Sequence, residues 1–154
     1  MRAVKRRIFA LILAAVVSLC STAAHAAERE DAIAAAKAVI AALAEKNFGL
    51  IWDTLASETF RKSGSREMFV LGYPQLRQKI GRLTSSNVLH VVYTPPRPRP
   101  DLGMTGKGYA VAFQNVYTTG ALDEQIYLIE ENGQFKMLGW GPAAAVKKRI
   151  CSPR

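Results

Sequence analysis

The apolar residues of this chain change period at Gly81, and that change constrains the architecture more than any other feature. Before Gly81 they recur at three- and four-residue steps, the period of a helix; after it they alternate, the period of a strand. From Glu28 to Lys46, Ile33, Ala36, Val39, Ile40 and Leu43 form one stripe, which predicts a helix. Glu28, Glu30 and Asp31 stand in its first turn, where negative charge suits the helix dipole. Asn47 reads as its left-handed cap. A second, short helix is predicted over Phe48 to Ala56, with Phe48, Ile51, Trp52 and Leu55 on one side, and Ser57 caps a further turn holding Phe60. Ser65 caps a third helix whose apolar content is Met68, Phe69, Leu71 and Leu76. Pro74 has no amide hydrogen and is expected to kink or split that helix near Tyr73, with Gly81 ending it.

Beyond Gly81, Arg82 to Thr94 reads as a strand with Leu89, Val91 and Tyr93 on one face and Val88, His90 and Val92 on the other. The run Pro95-Pro96-Arg97-Pro98-Arg99-Pro100 cannot enter a sheet interior and leads into a Gly-rich loop ending at Gly108. Tyr109, Val111, Phe113, Asn115 and Tyr117 alternate along a second strand, Thr119-Gly120 turns into a third over Leu122 to Glu130, and Asn132-Gly133 is a strong hairpin signal before a fourth over Gln134 to Trp140. Helices followed by a four-strand antiparallel meander is an α+β order, in which the sheet covers its apolar face with the helices.

The first 26 residues stand apart. Arg2, Lys5, Arg6 and Arg7 precede an apolar run from Ile8 to Val17, and small residues end at Ala24-His25-Ala26. These are the three parts of a secretory signal peptide, with cleavage expected after Ala26. The run is too short to span a bilayer, which takes about 20 apolar residues. Lipidation at Cys20 is the weaker alternative, because Leu19 precedes it. The expected organisation is therefore a signal peptide over 1–26, one α+β domain over 27–142 and a basic tail over 143–154, in a periplasmic or secreted protein. Taking the leader's four basic residues from the chain's 21 leaves 17 against 12 acidic ones, a net charge of +5. That excess favours anionic neighbours such as membrane headgroups but is no nucleic-acid signature. Only Cys151 remains after cleavage, so no disulfide can form within the mature chain.

Trp52-Asp53-Thr54-Leu55-Ala56-Ser57 with Phe60, then Ile80-Gly81-Arg82-Leu83-Thr84-Ser85, Tyr109-Ala110-Val111, and Gly133-Gln134-Phe135-Lys136 with Gly139-Trp140, carry a resemblance in their order and spacing. Over residues 33–140 the chain resembles the bacterial family known as domain of unknown function 4019, small and often exported proteins. Three positions depart from the family pattern: Ser86 stands where an arginine is usual, and Phe135 and Trp140 stand where tryptophan and tyrosine are more usual. The resemblance implies a cone-like fold similar to the nuclear-transport-factor-2 and ketosteroid-isomerase superfamily, a curved sheet wrapped around helices and a cavity. It implies no activity, since that fold hosts enzymes and binding modules alike.

Residue chemistry narrows the function. His90 and Cys151 are the only nitrogen and sulfur ligands of the mature chain, too few for a zinc site, so no metal is expected. Gly103 to Gly108 lacks the spacing and the following helix of a phosphate loop. His90 has no partners for a hydrolytic triad. The expected role is a non-catalytic ligand- or partner-binding accessory domain of the cell envelope, without cofactor, taking a small apolar ligand or an envelope protein. Trp52, Asp53, Tyr93, Asn115, Tyr117 and Trp140 are the candidate pocket residues. One alternative is a small cofactor-free enzyme of the ketosteroid-isomerase type, which needs a carboxylate base and hydrogen-bond donors in an apolar cavity. Asp53 would be that base, buried with a raised pKa, and Tyr93 or Tyr117 the donors. The other is an envelope interaction protein docking on an anionic partner or membrane surface through Arg97 and Arg99. The sequence leaves a homodimer open.

Overall fold

The computed structural model describes residues 25–96 and 106–143. Residues 1–24 of the expected signal peptide, Arg97 and Arg99 of the proline run, and the tail from residue 144, with Cys151, lie outside the described residues. The first helix, α1, covers residues 25–44, so the expected cut after Ala26 falls near its described start. Its buried stripe is the one expected, Ile33, Ala36, Val39, Ile40 and Leu43, widened by Ala32 and Ala42. Side chains this small let neighbouring elements approach closely on both flanks of the stripe.

The helix ends in a Schellman motif one residue earlier than expected. Lys46, not Asn47, takes the left-handed conformation, with φ 57°. The amide of Asn47 donates to the Ala42 carbonyl at 2.8 Å and that of Lys46 to Leu43 at 3.2 Å, which satisfies two terminal carbonyls. Asn47 instead begins the next helix, its side chain accepting from the Leu50 amide. A lysine at a left-handed position carries a steric cost that glycine avoids. Lys46→Gly is therefore expected to stabilise the protein by about 0.5–1 kcal/mol after the flexibility glycine adds to the unfolded chain is subtracted, read as a rise in the urea midpoint.

The second helix, α2 (Phe48–Leu50), widens into a π-helical turn over Ile51–Leu55. The turn closes when the Ala56 amide reaches the Ile51 carbonyl at 2.7 Å. Ser57 then caps α3 (Glu58–Lys62) by accepting from the Phe60 amide, and Ser65 caps α4 (Arg66–Leu76) by accepting from Met68. Pro74 does not split α4: it lies in the last turn, where its missing amide removes one bond, and the helix ends at Leu76 rather than Gly81. Of the apolar residues expected to pack on this helix, Phe69 is buried, whereas Met68 and Leu71 are 76% and 70% exposed.

Four strands follow, β1 (Leu83–Thr94), β2 (Gly108–Tyr117), β3 (Gly120–Glu131) and β4 (Gln134–Pro142), in one open antiparallel sheet of order β1-β2-β3-β4. Asn132 and Gly133 both take positive φ in the β3–β4 hairpin, as a tight two-residue turn requires. A bulge between Val88 and His90 revises the faces of β1. Val88 pairs with Phe113 and Val91 with Val111, so both face the core, and His90 turns to the other side opposite Ala112. One extra residue at a bulge produces this switch.

The inward residues Tyr109, Val111, Phe113, Ile126, Leu128 and Met137 meet Ala32, Ala36, Val39, Ile40, Ala42 and Leu43 of α1, with Phe48, Ile51, Trp52 and Phe69, in one continuous apolar cluster. The segment before α3 is tied to the edge strand β4, because Ala56 bridges Met137 and the Ser57 amide donates to the Met137 carbonyl at 2.8 Å. That tie places Phe60 against Trp140. Among the described residues no helix is long and apolar enough to cross a membrane.

Candidate functional site

The inward face of the sheet is apolar along most of its length and turns polar where β2 ends. Asn115 and Tyr117 of β2 and Glu124 of β3 are all buried there, with Arg77, just beyond α4, closing over them. The Arg77 guanidinium donates to Glu124 Oε1 at 2.7 Å and to the Tyr117 hydroxyl at 2.8 Å. Tyr117 and the Asn115 amide both donate to Glu124 Oε2, at 2.5 and 2.8 Å. Ser86 Oγ donates to Asn115 Oδ1 at 2.6 Å and ends this chain of bonds.

Burial alone would raise the Glu124 carboxyl pKa, but the bonds from Arg77 and Tyr117, the Arg77 charge and the Asn115 bond outweigh it and hold the group below its ordinary value. The same burial, with Glu124 as acceptor, pushes the Tyr117 hydroxyl up to about 12. The carboxylate is thus ionised, and each of its oxygens is engaged. A buried ion pair of this kind holds together only when the remaining polar atoms around it are satisfied.

A cavity of about 330 Å³ opens above this pair. Phe60, Tyr73 and Trp140 wall it, Ile80, Leu122 and Pro142 add apolar surface, and Arg77 and Glu124 form its polar floor. The aromatic wall belongs to a larger cluster. The Tyr73 and Trp140 rings lie 4.9 Å apart, and Phe69 stands 4.9 Å from Tyr73 and 5.7 Å from Trp140 behind them.

Of the residues singled out from the sequence, Trp140 lines this cavity, and Asn115 and Tyr117 support its floor through Glu124. Trp52 lies in the core behind it, 5.3 Å from Phe69. Tyr93 is at the far end of the sheet. It pairs with Tyr109, which pairs with Leu128, four residues along β3 from Glu124 or about 13 Å.

Asp53 is not the buried carboxyl that the enzymatic alternative requires. Its side chain is 51% exposed and takes two bonds from Arg66, at 2.8 and 2.7 Å, and these bonds hold its pKa below the ordinary value rather than above it. It borders a separate polar recess with Glu58, Arg61, Glu131 and Lys136. His90 lies on the sheet face opposite the core.

Sequence reasoning missed Glu124 and Arg77. A signal for Glu124 was present: it stands between Leu122 and Ile126 in the same alternation that continues to Leu128, so a charge occupied an inward position of the third strand. Nothing in the local pattern marks Arg77. The chain matches no family model and no curated protein.

Proposed function

We propose that this chain is an exported, non-catalytic accessory domain of the cell envelope that binds a small ligand between Phe60, Tyr73 and Trp140. The observation that carries the reading is the cavity itself: aromatic walls, a volume of about 330 Å³ and a few polar groups converging at one end. Ligand sites are concave, mostly apolar and supplied with a small number of placed polar groups. Helices gathered on one face of an open, bulged antiparallel sheet support the resemblance to the domain of unknown function 4019 family and its cone-like, nuclear-transport-factor-2-like fold. The basic, apolar and small-residue parts of the leader support export.

The state of the carboxylates favours binding over proton transfer. A general base works best with a pKa near the operating pH, yet Glu124 is held low by its partners and Asp53 is held low on the outer surface.

Native mass spectrometry of the protein purified from its own cell envelope tests the reading. The expected spectrum shows the mass of residues 27–154 plus a small non-covalent adduct, with the adduct lost from a folded Trp140→Ala variant. A bare wild-type mass would count against an occupied cavity. Envelope association that weakens with salt and fails in an Arg97→Ala/Arg99→Ala variant would then identify the basic loop as the working surface.

A further inference from the structure

We infer that the cavity takes an uncharged aromatic ring bearing a hydrogen-bond acceptor such as a carbonyl, and that Arg77 is the residue that engages the acceptor. The inference rests on the binding reading above and names its ligand class. It follows from counting which hydrogen-bonding capacity the floor has left.

Glu124 has little to offer: Oε2 takes bonds from Tyr117 and Asn115 and a longer one from Arg77 at 3.4 Å, and Oε1, which takes the 2.7 Å bond from Arg77, keeps one lone-pair site. The Tyr117 hydroxyl is also used in both directions, donating to Glu124 and accepting from Arg77. Arg77 differs. A guanidinium carries five N–H donors, and the bonds Arg77 makes among the described residues all leave from its two terminal nitrogens. Its Nε has no partner there, and the buried polar atom without a partner among those residues is Glu28 Oε2, not Arg77 Nε. Among the described residues, the Nε–H of Arg77 is thus a donor without a partner on a residue that lines the cavity. Trp140 and Tyr73 of the walls carry an indole N–H and a phenol O–H, two further donor groups on lining residues.

Charge narrows the class further. The Arg77 charge is already balanced by Glu124 at 2.7 Å, so an anionic ligand would be desolvated without gaining a full counter-charge and would face the carboxylate. A cationic ligand would meet the Arg77 guanidinium, which already takes up the Glu124 charge at 2.7 Å. Aromatic walls suit a flat ring, which gains from offset and edge contacts. The cavity's size sits at the lower end of ligand pockets, which run from about 300 to 1,000 Å³, and fits one or two rings.

The test is an NMR titration of the wild-type protein with four single-ring probes of similar size: acetophenone, ethylbenzene, benzoate and benzylammonium. Acetophenone should bind about tenfold more tightly than each of the others, the worth of one hydrogen bond from a charged donor. Its binding should also move the Arg77 Nε–H and Trp140 indole N–H resonances. Tightest binding by benzoate or benzylammonium, or equal binding by ethylbenzene, would overturn the ligand class while leaving a working cavity. Failure of all four probes alongside a native adduct would also overturn the class alone. Failure of all four with no native adduct would overturn the binding reading with it.

Discussion

Arg77→Met is expected to destabilise the protein by about 3–5 kcal/mol at neutral pH, the usual cost of removing one partner from a buried ion pair. Glu124 would be left buried and charged, with only the neutral donors of Asn115 and Tyr117 beside it. The dependence on pH identifies the cause. In the wild-type protein the Glu124 pKa lies below its ordinary 4.5, so the stability it contributes is present above that value and is lost as pH falls through the folded-state pKa. Without Arg77, burial dominates and the carboxyl pKa rises. The sign then reverses: the protonated form is the favoured one, and stability is lost as pH climbs through the raised value. Urea midpoints of the two proteins should therefore converge towards acid and separate towards neutrality. Adding Glu124→Gln to Arg77→Met should recover part of the loss, because the amide is uncharged and keeps an oxygen for Tyr117 and Asn115. A gap that stays constant with pH would show that Arg77 contributes packing rather than charge.

The elements that local chemistry dictates were legible in the sequence. The α1 stripe, the Ser57 and Ser65 caps, the Asn132-Gly133 hairpin and the order of helices before strands all follow from spacing and side-chain type. What escaped the sequence depends on contacts between distant segments. The bulge at Leu89 moves Val88 to the core face because Phe113 stands opposite it, and no pattern within β1 announces that partner. Its place beside Trp52 makes Asp53 a candidate base in the sequence, but Arg66, thirteen residues on, claims its carboxylate at the surface. The site was half visible. Trp140, Asn115 and Tyr117 were found by their aromatic or inward positions, whereas Glu124 gains its meaning only from Arg77, 47 residues away in the chain. The exposed Met68 and Leu71 show the converse, apolar residues that propensity places in a helix and packing leaves outside.

Phe69→Ala is the second large effect expected, about 3–5 kcal/mol, because a buried aromatic ring is lost and its neighbours close only partly over the gap. Phe69 is the shared contact of the aromatic cluster, with ring centroids 5.8 Å from Phe48, 5.3 Å from Trp52, 5.4 Å from Phe60, 4.9 Å from Tyr73 and 5.7 Å from Trp140. Met68→Ala and Leu71→Ala on the same helix are the internal controls. Both residues are exposed, and each change should stay within about 0.5 kcal/mol in urea titrations. The contrast separates helix propensity, which all three substitutions alter in the same direction, from packing, which only one of them removes. Because Phe69 stands between the core residue Trp52 and the cavity wall Trp140, its loss should also loosen the wall and weaken acetophenone binding even where the variant remains folded. Equal costs for Phe69→Ala and Leu71→Ala would mean that the aromatic cluster is not part of the stabilising core. A destabilised variant that still binds the probe as tightly as wild type would show that the cavity wall is held by the sheet alone.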